Sequence, residues 1–86
     1  MSKFSAYATL NHLRASWKNR HEVNSTIKEL ANKLTVLQKS RAKEMKTCIT
    51  ESDKVKVRKR YDNEIKYTDY LLYLIKLKYY EIVGKL

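Results

Sequence analysis

Between Met1 and Val83 the chain contains neither proline nor glycine; its only glycine is Gly84. Tight β-turns draw on those two residues, because glycine reaches backbone conformations closed to other side chains and proline presets one turn dihedral. A β-rich fold of 86 residues would need several such turns. A helical one needs few, and polar capping residues can make them. The sequence therefore predicts an all-α protein forming a single helical domain over residues 1–86.

The apolar pattern says where the helices lie. From Tyr61 onward, Tyr61, Ile65, Thr68, Leu72, Ile75, Tyr79, Ile82 and Leu86 follow alternating steps of four and three. That is the seam of a helix laid along another helix. A second stripe, Leu71, Leu74 and Leu77, widens the apolar face enough to touch two neighbours. Upstream, Val23, Ile27, Leu30, Leu34 and Leu37 keep the same rhythm, and its phase runs on through Arg41 and Met45 to Cys48. Phe4, Tyr7, Leu10, Leu13 and Trp17 form a shorter amphipathic stretch, with Ser2 placed to cap it and Trp17 read as core. Asn19 with Glu22 resembles a capping box, which marks a helix start or a kink; residues 3–48 form one long helix or a short and a long one, with a break near Asn19 favoured. Thr50 with Asp53 marks another helix start, where acidic side chains suit the positive end of the helix dipole. The expected helices cover residues 3–18, 20–48 and 52–84. The two long ones fold back about residue 50 as an antiparallel hairpin, with Leu37 near Ile65 and Leu30 near Leu71 or Leu72.

The formal net charge is +10, and it is unevenly placed. Residues 1–20 hold Lys3, Arg14, Lys18 and Arg20 and no acid; residues 21–38 balance, and residues 61–86 balance with four charges of each sign. Residues 39–60 carry nine basic groups against three acids: Lys39, Arg41, Lys43, Lys46, Lys54, Lys56, Arg58, Lys59 and Arg60. These flank the turn, so a hairpin gathers them at one end. Lys39, Lys43 and Lys46 share one helix face, and Lys56, Lys59 and Arg60 share another. Arg41 and Arg58 fall on seam positions, where two guanidiniums facing each other would repel unless an anion came between them. Rows of cations track a phosphate backbone, gaining affinity by releasing counterions without reading base sequence. Arg14, Lys18 and Arg20 around Trp17 form a smaller basic patch at the far end of the hairpin.

Other chemistries find little support. Cys48 is the only cysteine, so the chain makes no internal disulfide and no cysteine-rich zinc site, and a reducing, cytoplasmic setting is expected. His12 and His21 have no companions at metal-ligand spacing, and no cofactor is implied. The carboxylates are dispersed, there is no glycine-rich phosphate loop, and no nucleophile–base arrangement stands out; a non-enzymatic role is expected. The start of the chain lacks a signal-peptide core. The most apolar run, Tyr70–Val83, is broken by Lys76, Lys78 and Glu81 and falls short of the roughly 20 residues needed to span a bilayer. Six of the seven tyrosines lie between residues 61 and 80, and tyrosine suits interfaces where one end of the ring stays wet. A core this small, built partly of tyrosine, is marginal alone, so a homodimer, or folding completed on a partner, is expected, with Tyr67, Tyr70, Leu71, Leu74 and Leu77 as the interface.

Taken together, a short, proline-free, Lys/Tyr-rich chain with a basic helical hairpin resembles the small accessory proteins that bacteriophages make to disarm host functions. Some of those inhibit host toxin endonucleases or other defences that act on RNA or DNA. The resemblance is one of type, and no residue role follows from it. The expected function is non-catalytic nucleic-acid binding, RNA slightly before DNA, either by coating RNA or by bringing it to a target enzyme to block it. The alternative is a protein-interaction module or inhibitor that docks its basic tip on an acidic protein surface without nucleic acid.

Overall fold

The computed structural model describes residues 3–86, with side chains from residue 5 onward; the cap expected at Ser2 and the side chain of Phe4 lie outside the described residues. The described residues form α1 (Lys3–Ser16), α2 (Arg20–Thr47), α3 (Glu51–Leu77) and the short α4 (Tyr79–Gly84), and contain no strand. The rod measures 51 × 23 × 18 Å. Its two long helices pack against each other as an antiparallel hairpin, with Asn24 bonded to Tyr79 and Arg41 to Asp62. α1 lies along the second half of α3 and runs parallel to it, placing Thr9 at Tyr67 and Arg14 at Glu81.

Local chemistry sets the breaks. The Asn19 side chain caps α2 by accepting from the Glu22 amide at 3.0 Å. Glu22 returns the favour one residue further back, its carboxylate accepting from the Lys18 amide at 2.6 Å. Thr50 caps α3 by accepting from the Asp53 amide at 3.2 Å. Each cap satisfies an amide that has no partner within the helix, worth about 1 kcal/mol. The helix expected to run unbroken to residue 84 is interrupted only at Lys78, where ψ turns to 10°. Bonds from the Lys78 amide to the Leu74 carbonyl and from the Ile82 amide to the Lys78 carbonyl carry the axis across the interruption.

The core is confined to one end. Ala6, Leu10, Trp17, Val23, Leu71, Leu74, Ile75 and Ile82 form a single buried cluster. The Trp17 ring closes it, and its Nε1–H donates to Thr26 Oγ1 at 3.0 Å, so burying the indole leaves no orphaned donor. From residue 24 to residue 67 no side chain is fully buried. There the two long helices meet along a single half-buried seam, with Val36 and Val55 turned to solvent. The molecule is a three-helix bundle at one end and a bare two-helix arm at the other.

The second stripe of α3 corrects the expected self-association surface. Leu71 and Leu74 are buried by the chain's own α1, Tyr67 meets Thr9, and the Tyr70 hydroxyl donates to that of Tyr7 at 3.3 Å. Leu77 instead stays 63% exposed. At about 100° per residue, steps of three fall back about 60° each time. The stripe therefore winds off the α1 side before it reaches Leu77. Among the described residues no helix is long and apolar enough to cross a membrane.

Two outcomes follow from this uneven core. Ile75→Ala, at a position with no exposed surface, should cost about 2–5 kcal/mol in urea unfolding, whereas Val36→Ala should stay within about 0.5 kcal/mol. Amide hydrogen exchange should protect residues 68–75 far more than residues 40–60, and equal protection would contradict the bare-arm description.

The clasp between α1 and α4 is electrostatic. The Arg14 guanidinium lies 3.4 Å from the Glu81 carboxylate and Lys85 lies 3.6 Å from it. The hydrogen bond from Arg14, then its charge, and then that of Lys85 hold the Glu81 carboxyl below its ordinary value. A depressed folded value means that this stabilisation is present above the unfolded carboxylate pKa and fades as pH falls through the folded one. Site-resolved titration should find Glu81 below its ordinary value, and Arg14→Gln should move its midpoint up.

Candidate nucleic-acid interface

The arm ends in the three-residue link Cys48–Ile49–Thr50. The Glu44 carbonyl, near the C-terminal end of α2, accepts from the Thr47 hydroxyl at 2.7 Å and from Cys48 Sγ at 3.3 Å. Cys48 and Thr50 both take extended backbone, which lets the chain reverse without a glycine. Ile49 stands at the apex, 93% exposed.

All nine basic residues singled out in the sequence flank this link, but three of them have acidic partners. Arg41 donates to Asp62 at 2.8 Å, Arg60 pairs with Glu44, and Lys54 lies 3.6 Å from Glu51. Lys39, Lys43, Lys46, Lys56, Arg58 and Lys59 are exposed and form no ion pair with the described residues. The expected Arg41–Arg58 confrontation does not occur. Continued backward, alternating steps put Arg58 on the seam; the helix instead half-buries Val57, a step of four before Tyr61, and turns Arg58 outward. Freed of a facing cation, Arg41 takes Asp62, one residue past Tyr61 on the flank of the seam.

Helical phase also sorts the free cations. At about 100° per residue, Lys39, Lys43 and Lys46 fall opposite the α2 seam residues Leu37, Arg41 and Cys48. Lys56 and Lys59 fall opposite the α3 seam. In a two-helix arm those two outer faces point away from each other. The charge thus encloses the tip on both sides, where the sequence reading had simply gathered it at one end. Tyr61 sits between, its ring 5.4 Å from the Arg60 guanidinium. Its hydroxyl is raised above the ordinary tyrosine value by desolvation, then by the Glu44 carboxylate beside it.

The secondary patch divides. Arg14 is committed to Glu81, whereas Lys18 and Arg20 stay exposed at the bundle end, away from the tip. Trp17 is 6% exposed and so does not serve as a stacking platform. Among the described residues no group of three or more His, Cys, Asp or Glu side chains could hold a metal ion. A shallow open groove of about 310 Å³ is lined by Asn24, Ile27, Lys76, Tyr79 and Tyr80.

Sequence reasoning passed over Ile49 and the acids Glu44 and Asp62. The signal for Ile49 was present, an apolar β-branched residue in a predicted turn where a polar one is usual. Fold and tip together define a helical-hairpin protein with a cation-sheathed end. No protein-family model, curated protein or solved structure matches the chain.

Proposed function

We propose that this is a non-catalytic, sequence-tolerant nucleic-acid-binding protein that prefers RNA and grips it with the tip of the hairpin. The observation that carries this reading is six exposed cations that form no ion pair with the described residues, five of them on the two outer faces of a narrow arm and Arg58 on its flank. A duplex presents a stiff row of phosphates to one side of a protein. Cations facing opposite ways suit a flexible single strand that wraps the tip, or two segments held on either side. That favours single-stranded RNA, which bends at little cost, over duplex DNA. Phosphate contacts of this kind position a strand without reading its bases. A protein so built could carry RNA to a target such as a host toxin endonuclease and obstruct it.

Affinity for single-stranded RNA should fall with salt, with a log–log slope of about −0.7 per phosphate contacted. Replacing Lys43, Lys46, Lys56 and Lys59 together by alanine should flatten that slope by about 3. Helix content should be unchanged, since all four side chains are exposed. An unaltered slope in that variant would remove the tip from the interface.

A second reading is favoured by Ile49. An exposed apolar apex rimmed by cations has the form of an anchor for an acidic protein surface, where one buried side chain dominates and the charges steer. Ile49→Ser should then weaken a protein complex that survives nuclease treatment, while leaving the salt slope for RNA as it was.

A further inference from the structure

One stripe of α3 and α4 is left uncovered by both α1 and α2. Tyr73, Leu77 and Tyr80 are 56%, 63% and 84% exposed, and they recur at helical spacing. Lys66, Asp69 and Lys76 are exposed on the same side of the helix and form no ion pair with the described residues. We propose that this stripe is the docking surface for a second copy of the chain, packed antiparallel about a twofold axis at Tyr73.

The argument is self-complementarity. A twofold interface must match its own charges when one copy is reversed. With the axis at Tyr73, Asp69 comes within one residue's rise of Lys76 of the partner subunit on the same flank of the stripe, and Lys76 likewise of Asp69 of the partner subunit. Lys66 comes over Tyr80 of the partner subunit, a cation on an aromatic ring. Tyr73 meets its own copy, and Leu77, one residue beyond Lys76, comes level with Asp69 of the partner subunit on the other flank of the stripe. Within one chain Asp69 and Lys76 are two helical turns apart, about 10 Å along the axis, too far to pair with each other.

The global charge selects the same arrangement. A chain of net charge +10 repels its copy, but residues 61–86 are neutral. Contact through α3 and α4 lets two copies meet where repulsion is least, and the antiparallel sense sends the two basic tips to opposite ends. α1 already covers Leu71 and Leu74, so the self-association surface is this stripe, with Leu77 the one leucine of the expected set that remains available.

The full-length protein, freed of nucleic acid, should sediment with twice the chain mass and dissociate on dilution. Leu77→Asp should yield the single-chain mass with unchanged helical circular dichroism. Asp69→Lys and Lys76→Asp should each weaken the dimer by about tenfold, and the double exchange should restore it. In a Cys48→Ser background, Tyr73→Cys should cross-link to its own copy under mild oxidation and Tyr80→Cys should not. A single-chain mass at the highest attainable concentration would overturn the proposal. So would a dimer indifferent to Leu77→Asp, a double exchange that fails to restore pairing, or cross-linking at both cysteine positions.

Discussion

The contact between α1 and α3 decides what the rest of the chain can be. A helical pair joined along one seam buries too little to hold itself firmly, because each helix offers its neighbour only a narrow stripe. Laying α1 over Leu71 and Leu74 turns the second half of α3 into a helix with two buried sides, and Trp17 seals the join with Val23. Leu10, Val23, Ile75 and Thr68 lose essentially all solvent contact only because three elements meet there. The arm beyond is anchored by this bundle and can then carry a composition that would not fold alone.

That division of labour explains the placement of the charge. Nine cations within 22 residues would oppose any compact core, since desolvating unpaired cations is costly. In the arm they stay in water. Of the acids there, Asp62 holds Arg41 and Glu44 holds Arg60 beside the seam, while Glu51 lies by Lys54 in the first turn of α3. Repulsion is quenched where the helices touch and left unquenched on their outer faces, which is the distribution a polyanion-binding end requires.

Most of the architecture was legible in the residues. The alternating steps of four and three in both long helices, together with the caps at Asn19 and Thr50, give the hairpin and its turn within a residue or so. Three features were not. A single step of four where three was expected moves Val57 inward and Arg58 outward, and the two choices differ in the sequence only by which side chain prefers water. The stripe Leu71–Leu74–Leu77 reads as one face although spacing by threes winds it around the helix. The seat of α1 was also hidden, because an amphipathic segment shows that it buries a face without showing against what. The gathering of cations at the tip was therefore readable, while their two-sided placement depends on helical phase that a count of charges does not carry.

The segregation of charge along a rod 51 Å long has one more consequence. A strongly positive tip and a more weakly positive bundle end give the molecule an electric dipole moment directed along its axis. In the field of a polyanion such a body experiences a torque before it makes contact, and it turns to lead with its positive pole. Encounters are then biased to be end-on, so fewer collisions are wasted on misoriented approaches. Added salt shortens the range of that torque, so the orienting bias fades as ionic strength rises.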